Sequence, residues 1–389
     1  MRNRFVLMSA ALVAVALGSV AGAQAQTATC GGAVGPCSTI PVNNTAYGTT
    51  ADEFLLLAPS ARGTALGGGF AALATDVSSV YYNPAGLSQM DHAGIMASTM
   101  NYVAGTKYGW AAAGFPMSGG SRAIGVSVAN FGFSNQPVYT VEDPTGSSGE
   151  VYSVSETAVG LTYSQQFSDR FSAGVTGKLV NDQLGRTTGT AVAFDFGTDF
   201  HALIGGRPIR ASFVVQNLGS NITQSGQALS VTVNRTAPPG EQDVPQEPAT
   251  AQLTAKSWSL PVIFRVGVAY DVFQTTAGRL SVLGEFTQPN DNQPGFNLGG
   301  EYQVGLGSSG FAVAGRASVT YWPDNNLAAS ADSAGFSSSV GGTSQYRASY
   351  GGGIYYRPGT SGFGVGVDYA YRNMGLLGGV SMLSVAFTW

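Results

Sequence analysis

Charge is scarce in this sequence. Asp, Glu, Lys and Arg make up 10% of the 389 residues, against about 25% in an ordinary domain. So little charge does not suit a soluble α/β enzyme; it suits a chain whose outer belt touches lipid. The net charge is −4 and Lys and Arg form no cluster, which excludes the basic footprint of a nucleic-acid binder. Histidine is nearly absent: His92 and His201 are the two present, without metal-type spacing. No nucleophile–base motif accompanies them, so neither an enzyme, a metal site nor a cofactor is expected. Past the N-terminus there is no apolar run of about 18 residues, so no spanning helix is offered. Cysteine is limited to Cys30 and Cys37. In an oxidising compartment these two are expected to pair in a small ring, in preference to lipidation or metal binding.

Glycine is abundant, at 55 of 389 residues, roughly twice the usual share of about 7%. The N-terminus carries Arg2 and Arg4, an apolar run from Phe5 to Leu17, then small residues. That pattern reads as a signal peptide over 1–25, cleaved after Ala23 or Ala25. A polar segment follows over 26–53, holding the cysteine pair. Residues 54–91 do not alternate; they are rich in Ala and Gly, with a short helix expected near Gly69–Thr75. This stretch reads as a hatch packed in or under a barrel, and 92–389 as the barrel itself.

The barrel reading comes from a two-residue rhythm. Phe363, Val365, Val367, Tyr369 and Tyr371 alternate with Gly364, Gly366, Asp368 and Ala370, as a strand with one apolar face requires. Strands are expected at 94–103, 108–117, 122–133, 151–167, 170–184, 189–201, 209–218, 260–273, 279–288, 295–304, 310–322, 346–357, 362–372 and 378–389. Fourteen is an even number, as a single-chain bacterial barrel needs. The three long connections, 134–150, 219–259 and 323–345, are the third, seventh and eleventh, all odd. The even connections are short turns. Long loops outside and short turns inside are the habit of up-and-down outer-membrane barrels, so the fold class is an all-β transmembrane antiparallel barrel with an N-terminal hatch.

Facing follows from the phase. A lipid-facing Arg or Lys at the midplane costs about 2–4 kcal/mol, so charges belong inside. Lys178, Asp195, Asp199, Arg265, Asp271, Glu285, Glu301, Arg316, Arg347, Asp368 and Arg372 fall on the lumen phase. They form either a structural network of ion pairs or a ring that selects a substrate. Tyr81, Tyr82, Trp322, Tyr355, Tyr356, Tyr369 and Tyr371 are expected in aromatic girdles at the membrane interfaces, with packing inside the barrel as the alternative for Tyr81 and Tyr82. In the hatch, Gly67, Gly68 and Gly69 permit tight bending. Asn83-Pro84-Ala85-Gly86-Leu87 reads as a rigid elbow, because Pro84 fixes its φ and biases Asn83 away from helix. A gate that moves on ligand binding is the alternative. The run Gly305-Leu306-Gly307-Ser308-Ser309-Gly310 matches a dinucleotide fingerprint in letters but opens no helix, so it reads as a hairpin turn.

Three stretches carry a family resemblance. They are FLLLAPSARGTALGGGFAALATDVSSVYYNPAGLSQM (Phe54–Met90), VVQNLGS (Val214–Ser220) with LPVIFRVGVAYDV (Leu260–Val272), and DYAYRNMGLLGGVSMLSVAFTW (Asp368–Trp389). Together they resemble the PorV/PorQ family of outer-membrane proteins, itself similar to the FadL fatty-acid channels. The resemblance implies a fourteen-stranded, hatch-plugged barrel in a Gram-negative outer membrane. It implies an accessory or shuttle role in protein export of the type IX kind, with secreted client proteins or secretion-system components as partners. The alternative is FadL-like uptake of long-chain fatty acids or another hydrophobic molecule through the lumen. The long polar loop 219–259, with Pro238, Pro239, Pro245 and Pro248, and the cysteine pair depart from the family. By resemblance to outer-membrane barrels generally, Val385, Phe387 and Trp389 are the signal read by the barrel assembly machinery; ordinary lipid-facing residues are the alternative.

Overall fold

The computed structural model describes residues 48–233, 248–322, 346–358 and 363–389. The expected signal peptide, Cys30, Cys37, Pro238, Pro239 and Pro245 lie outside them. Fourteen long strands form the wall: β1 Gly94–Asn101, β2 Lys107–Met117, β3 Arg122–Pro137, β4 Val151–Ser168, β5 Phe171–Leu184, β6 Thr187–Ile204, β7 Arg207–Gly219, β8 Ile263–Gln274, β9 Gly278–Pro289, β10 Gly295–Gly305, β11 Phe311–Tyr321, β12 Tyr346–Tyr356, β13 Gly364–Asn373 and β14 Gly379–Thr388. Each pairs antiparallel with its sequence neighbours, and β1 pairs with β14, Gly94 opposite Thr388. The sheet is therefore a closed barrel without a free edge, the form that satisfies every backbone group in lipid.

The outer face is apolar. In β3 and β4 it carries Ile124, Val126, Val128, Val159, Leu161 and Tyr163, all exposed. The alternate positions point inward and hold the charges. A cylinder greasy outside and charged inside is a membrane-spanning barrel. The connections 118–121, 169–170, 205–206, 275–277 and 306–310 lie at one rim; the long connections after β3 and β7 lie at the other, which also carries the short ones 102–106, 185–186, 290–294 and 374–378. The loop after β7 is not a plain polar excursion. It forms short ribbons, Ser230–Val233 against Ala249–Gln252 and Ile222–Thr223 against Ser257–Trp258, and buries Ile222 and Leu260 at the long-loop rim.

The chain before β1 fills the lumen. A single bridge, Thr50 with Ser259, fixes it at the long-loop rim, and it descends to Ala93, whose carbonyl accepts from the Trp389 N–H at the opposite rim. The short helix lies at Ala61–Ala65 (α1), not near Gly69–Thr75. Ser60 caps it by accepting from the Gly63 N–H at 3.2 Å, and Gly67 and Gly68, with φ +71° and +84°, stop it. Left-handed glycines end a helix, so the triple glycine is a terminator. A second helix, α2, spans Ser79–Tyr82.

Candidate functional site

An irregular chain inside a barrel has no ladder to join, so its peptide groups need other partners. Lumen side chains supply them. Ser384 Oγ accepts from the Ala61 N–H at 2.8 Å, Ser318 Oγ donates to the Ala65 carbonyl at 3.0 Å, and Asn297 Nδ2 donates to the Leu66 carbonyl at 2.6 Å. Arg265 donates to the Gly68 carbonyl at 3.0 Å, and Glu285 accepts from the Ala71 N–H at 3.0 Å and pairs with Arg265 at 3.3 Å.

The strongest tie is Arg62. Its Nε and Nη2 both reach Glu301 at 2.8 Å and its Nη1 reaches Asp76 at 2.8 Å. Such a two-pronged guanidinium–carboxylate pair is both strong and directional. Glu301 also accepts from Arg316 at 2.6 Å and lies 3.5 Å from Arg279. Arg316 continues to Asp368 at 2.6 Å, and Tyr355 donates to Asp368 at 2.5 Å. Tyr355 therefore faces the lumen, a correction to its expected place in an aromatic girdle. Tyr356 beside it is exposed on the outer face, since neighbours in a strand point opposite ways. Tyr81 and Tyr82 also pack in the lumen, in edge contact with each other.

The elbow sits against β4, β5 and β6. Asn83 accepts from the Ala85 N–H at 3.1 Å and donates to the carbonyls of Ala71 (3.3 Å) and Thr198 (3.2 Å). Pro84, Ala85, Gly86 and Leu87 are buried. Ser164 donates to the Ala85 carbonyl at 3.0 Å, and Gln89 to Asp199 at 2.7 Å, where His201 also lies at 3.0 Å. The facing strands carry glycine here for room: a Cβ on Gly174 would stand 2.5 Å from the Pro84 carbonyl carbon, and one on Gly197 would strike Asn83.

The remaining inward charges divide. Lys178 pairs with Asp195 at 2.7 Å and donates to Asn217. Asn217 has φ +62° at a bulge between β6 and β7, with its N–H on Asp195 at 2.8 Å. Gln216 beside it donates to the Tyr81 carbonyl. Asp271 accepts from Ser281 at 2.6 Å. Arg347 and Arg372 have no carboxylate partner among the described residues, and their Nε atoms are buried without an acceptor. At the long-loop rim, burial pushes the Asp52 carboxyl up to about 7, with Asp182 and Glu53 adding to it. Among the described residues no three His, Cys, Asp or Glu side chains converge as a metal shell. Val385, Phe387 and Trp389 lie on the outer surface, with the Trp389 ring 6.4 Å from Phe115.

Opposite the charged anchor the interior is apolar. Phe54, Leu55, Val80, Tyr108, Trp110 and Ala158 surround a cavity of about 30 Å³, which Lys178 and Asp195 also line. That is room for a water molecule. Outside the same wall, a groove of about 540 Å³ runs over Ile95, Ala97, Ala111, Ala113, Val126 and Phe387. Met96, Ala112 and Ser127 also line the groove. Met96 and Ala112 belong to the interior apolar cluster, and Ser127 borders the inner cavity as well.

Sequence reasoning missed Arg62, Asp76 and Asn297, which hold the hatch. Arg62 and Asp76 lie in the non-alternating stretch, where no phase assigns a partner. Asn297 was findable, being a polar residue on the lumen phase of its strand.

No protein-family model matches the chain, and no curated protein matches it by sequence. Among solved structures it is similar to a FadL homologue of Pseudomonas aeruginosa, at 10% identity over 85% of this chain and 98% of that one, TM-score 0.48. The toluene transporter TodX of Pseudomonas putida is similar at 11% identity over 85% and 96%, TM-score 0.47. The toluene transporter TbuX of Ralstonia pickettii is similar at 10% identity over 84% and 96%, TM-score 0.47. These are likenesses of barrel form alone.

Proposed function

We propose that this chain is an outer-membrane channel of the FadL kind, admitting a hydrophobic small molecule past its hatch and along the β1–β3 wall. One observation carries the reading: the apolar interior strip and the outer groove share a single thin wall, bordered on both faces by Ser127. Between Tyr108 and Trp110 on its inner face and Ile95, Val126 and Val128 on its outer face, that wall carries the small side chains of Ala97, Ala111, Ala112, Ala113 and Ser127. The charged anchor lies on the other side, leaving this strip free of fixed ion pairs down to Lys178. Toluene and a long-chain fatty acid are the first probes to try. In a strain lacking the gene, uptake of the labelled probe is expected to fall and to return with the wild-type gene. Replacing Ala112→Trp, which thickens the wall inward, is expected to leave the barrel assembled and cut uptake by roughly tenfold. Equal uptake with and without the gene, for both probes, would sink the proposal.

A second reading is an accessory role in protein export, favoured by the PorV/PorQ-like stretches at Phe54–Met90, Val214–Ser220 and Asp368–Trp389. Affinity purification from native membranes would then recover secreted proteins or secretion components. Normal surface display of secreted proteins in the deletion strain removes it.

A further inference from the structure

On the side of the lumen built by β11–β13, toward the long-loop rim, several buried donors face one another with no acceptor. Thr320 stands directly opposite Arg347 in the β11–β12 pairing, and Ser349 directly opposite Arg372 in the β12–β13 pairing. All four belong to the lumen phase of their strands. Arg347 and Arg372 are therefore diagonal neighbours on one face, a spacing of about 7–8 Å. Nε of each arginine is buried without a partner, and so are the hydroxyls of Thr320 and Ser349. Thr320 is 4% exposed and Ser349 2%. Four donors from three adjacent strands are thus unsatisfied in one patch.

The hatch passes over this patch with two glycines. A Cβ on Gly67 would stand 2.7 Å from Thr320 Oγ1, and one on Gly68 would stand 3.6 Å from Arg372 Nη1. Both glycines have positive φ, so the turn that stops α1 also keeps its bulk out of the space over these donors. Among the described residues no carboxylate pairs with either arginine. In β13 the nearest one, Asp368, lies four residues before Arg372, about 13 Å along the strand. It is already held by Arg316 and Tyr355. Like charges on neighbouring strands repel, and buried charges are ordinarily paired.

We propose that Arg347, Arg372, Thr320 and Ser349 bind a tetrahedral oxyanion of the phosphate class against the Gly67–Gly68 turn. A guanidinium fork matches phosphate oxygens two at a time, and each hydroxyl adds a single donor. Charge selects the class. A phosphate monoester carries about −1.5 to −2 at neutral pH and so offsets two guanidinium groups, whereas a monocarboxylate leaves one of them uncompensated. Arg347 and Arg372 each lie one residue from a strand end at the long-loop rim, so the anion enters from that side. Its source is either free phosphate or the head of a phosphate-bearing amphiphile. The inference stands apart from the uptake reading, since a fixed anion needs no passage.

The test is equilibrium dialysis of the full-length protein in non-ionic detergent against radioactive inorganic phosphate. One saturable ion per chain is expected. Unlabelled lysophosphatidic acid, which carries the same group on an acyl chain, should displace it. Displacement at lower concentration than unlabelled phosphate marks a lipid head as the source, and displacement at equal or higher concentration marks the free ion; either supports the site. Acetate should displace it at least about tenfold more weakly than phosphate, having one charge for two guanidinium groups. Arg347→Gln and Arg372→Gln should each weaken phosphate binding by at least about tenfold, the loss of a charge-assisted bond. Ser349→Ala should weaken it by a smaller factor, and this variant serves if an arginine variant does not assemble. An absence of saturable binding, wild-type affinity in the variants that assemble, or acetate displacing as well as phosphate overturns the proposal.

Discussion

At the residue scale the lumen works by satisfying one irregular segment. Arg62 binds Glu301 through two parallel contacts of 2.8 Å and Asp76 through a third. Removing one member of a buried pair costs about 3–5 kcal/mol where the other charge is left uncompensated; here Arg316 and Arg279 still face Glu301, so the loss is smaller. Arg62→Met therefore should not unfold the barrel but should loosen the hatch, with amide exchange at Ala61–Leu66 faster by roughly tenfold. Wild-type exchange rates there would show that the backbone contacts of Ser384 and Ser318 suffice alone. The inward charges were legible because a lipid-facing charge is costly and the strand phase leaves one alternative. Their partners were not, because phase says which way a side chain points and nothing of what meets it across the lumen. The Tyr355-Tyr356 doublet shows the misreading: composition favoured a girdle for both, but alternation allows it for one, and Arg316 and Asp368 hold the other.

At the element scale, two irregularities carry information that the strand pattern hides. Asn217 has φ +62° where β7 leaves its register with β6. The left-handed conformation costs an ordinary residue roughly 1–2 kcal/mol, while Gly takes it readily and Asn often does. Asn217→Ala loses that tolerance and the bond to the Pro261 carbonyl. Thermal unfolding in detergent should place Asn217→Ala clearly below Asn217→Gly, by about 1 kcal/mol or more. Equal midpoints would mean that the bulge relaxes freely. The β3–β4 loop is held differently. The Asp143 carboxylate accepts the N–H groups of Ser148 (2.6 Å) and Ser147 (3.1 Å). These bonds, that of Ser148 foremost, hold its carboxyl well below the usual carboxylate range. A depressed folded-state value contributes order above the ordinary carboxylate value and loses it as pH falls through the lower one. Exchange at Ser147 and Ser148 should therefore stay slow at pH 5 and rise below the usual carboxylate range, and Asp143→Ala should abolish that dependence. The hatch was the least legible element. Its Ala and Gly content marked a compact segment, but helix position was decided by the Ser60 cap and the Gly67–Gly69 stop.

For the whole molecule, the question is whether a sealed lumen can conduct. The hatch is fixed toward β8–β13 by the Arg62–Glu301 pair and by the bonds of Arg265 and Glu285 to its backbone, and toward β1–β4 by apolar contacts. The inner cavity of about 30 Å³ admits water, not a ring or an acyl chain. Passage of a hydrophobic molecule then requires the apolar side to part while the charged side stays, or the whole hatch to shift. Chemistry can separate these. A Cβ on Gly267 would lie 3.4 Å from the Ala72 Cβ, near the separation a disulfide spans. Ala72→Cys with Gly267→Cys, made with both native cysteines replaced by Ser, pins the hatch to β8 on its charged side. If only the apolar side parts, oxidised protein takes up the probe at the rate of its reduced form. If the whole hatch shifts, oxidation lowers uptake by tenfold or more and a thiol reductant restores it. The geometry favours the first outcome: the charged pairs are short and buried, and their rupture would leave Glu301 and Glu285 unpaired with the hatch, whereas sliding Phe54, Leu55 and Val80 apart costs apolar burial alone, which an apolar solute replaces as it passes. A reversible tenfold loss on oxidation would therefore overturn the one-sided opening and assign the Arg62–Glu301 pair to the moving part of the gate.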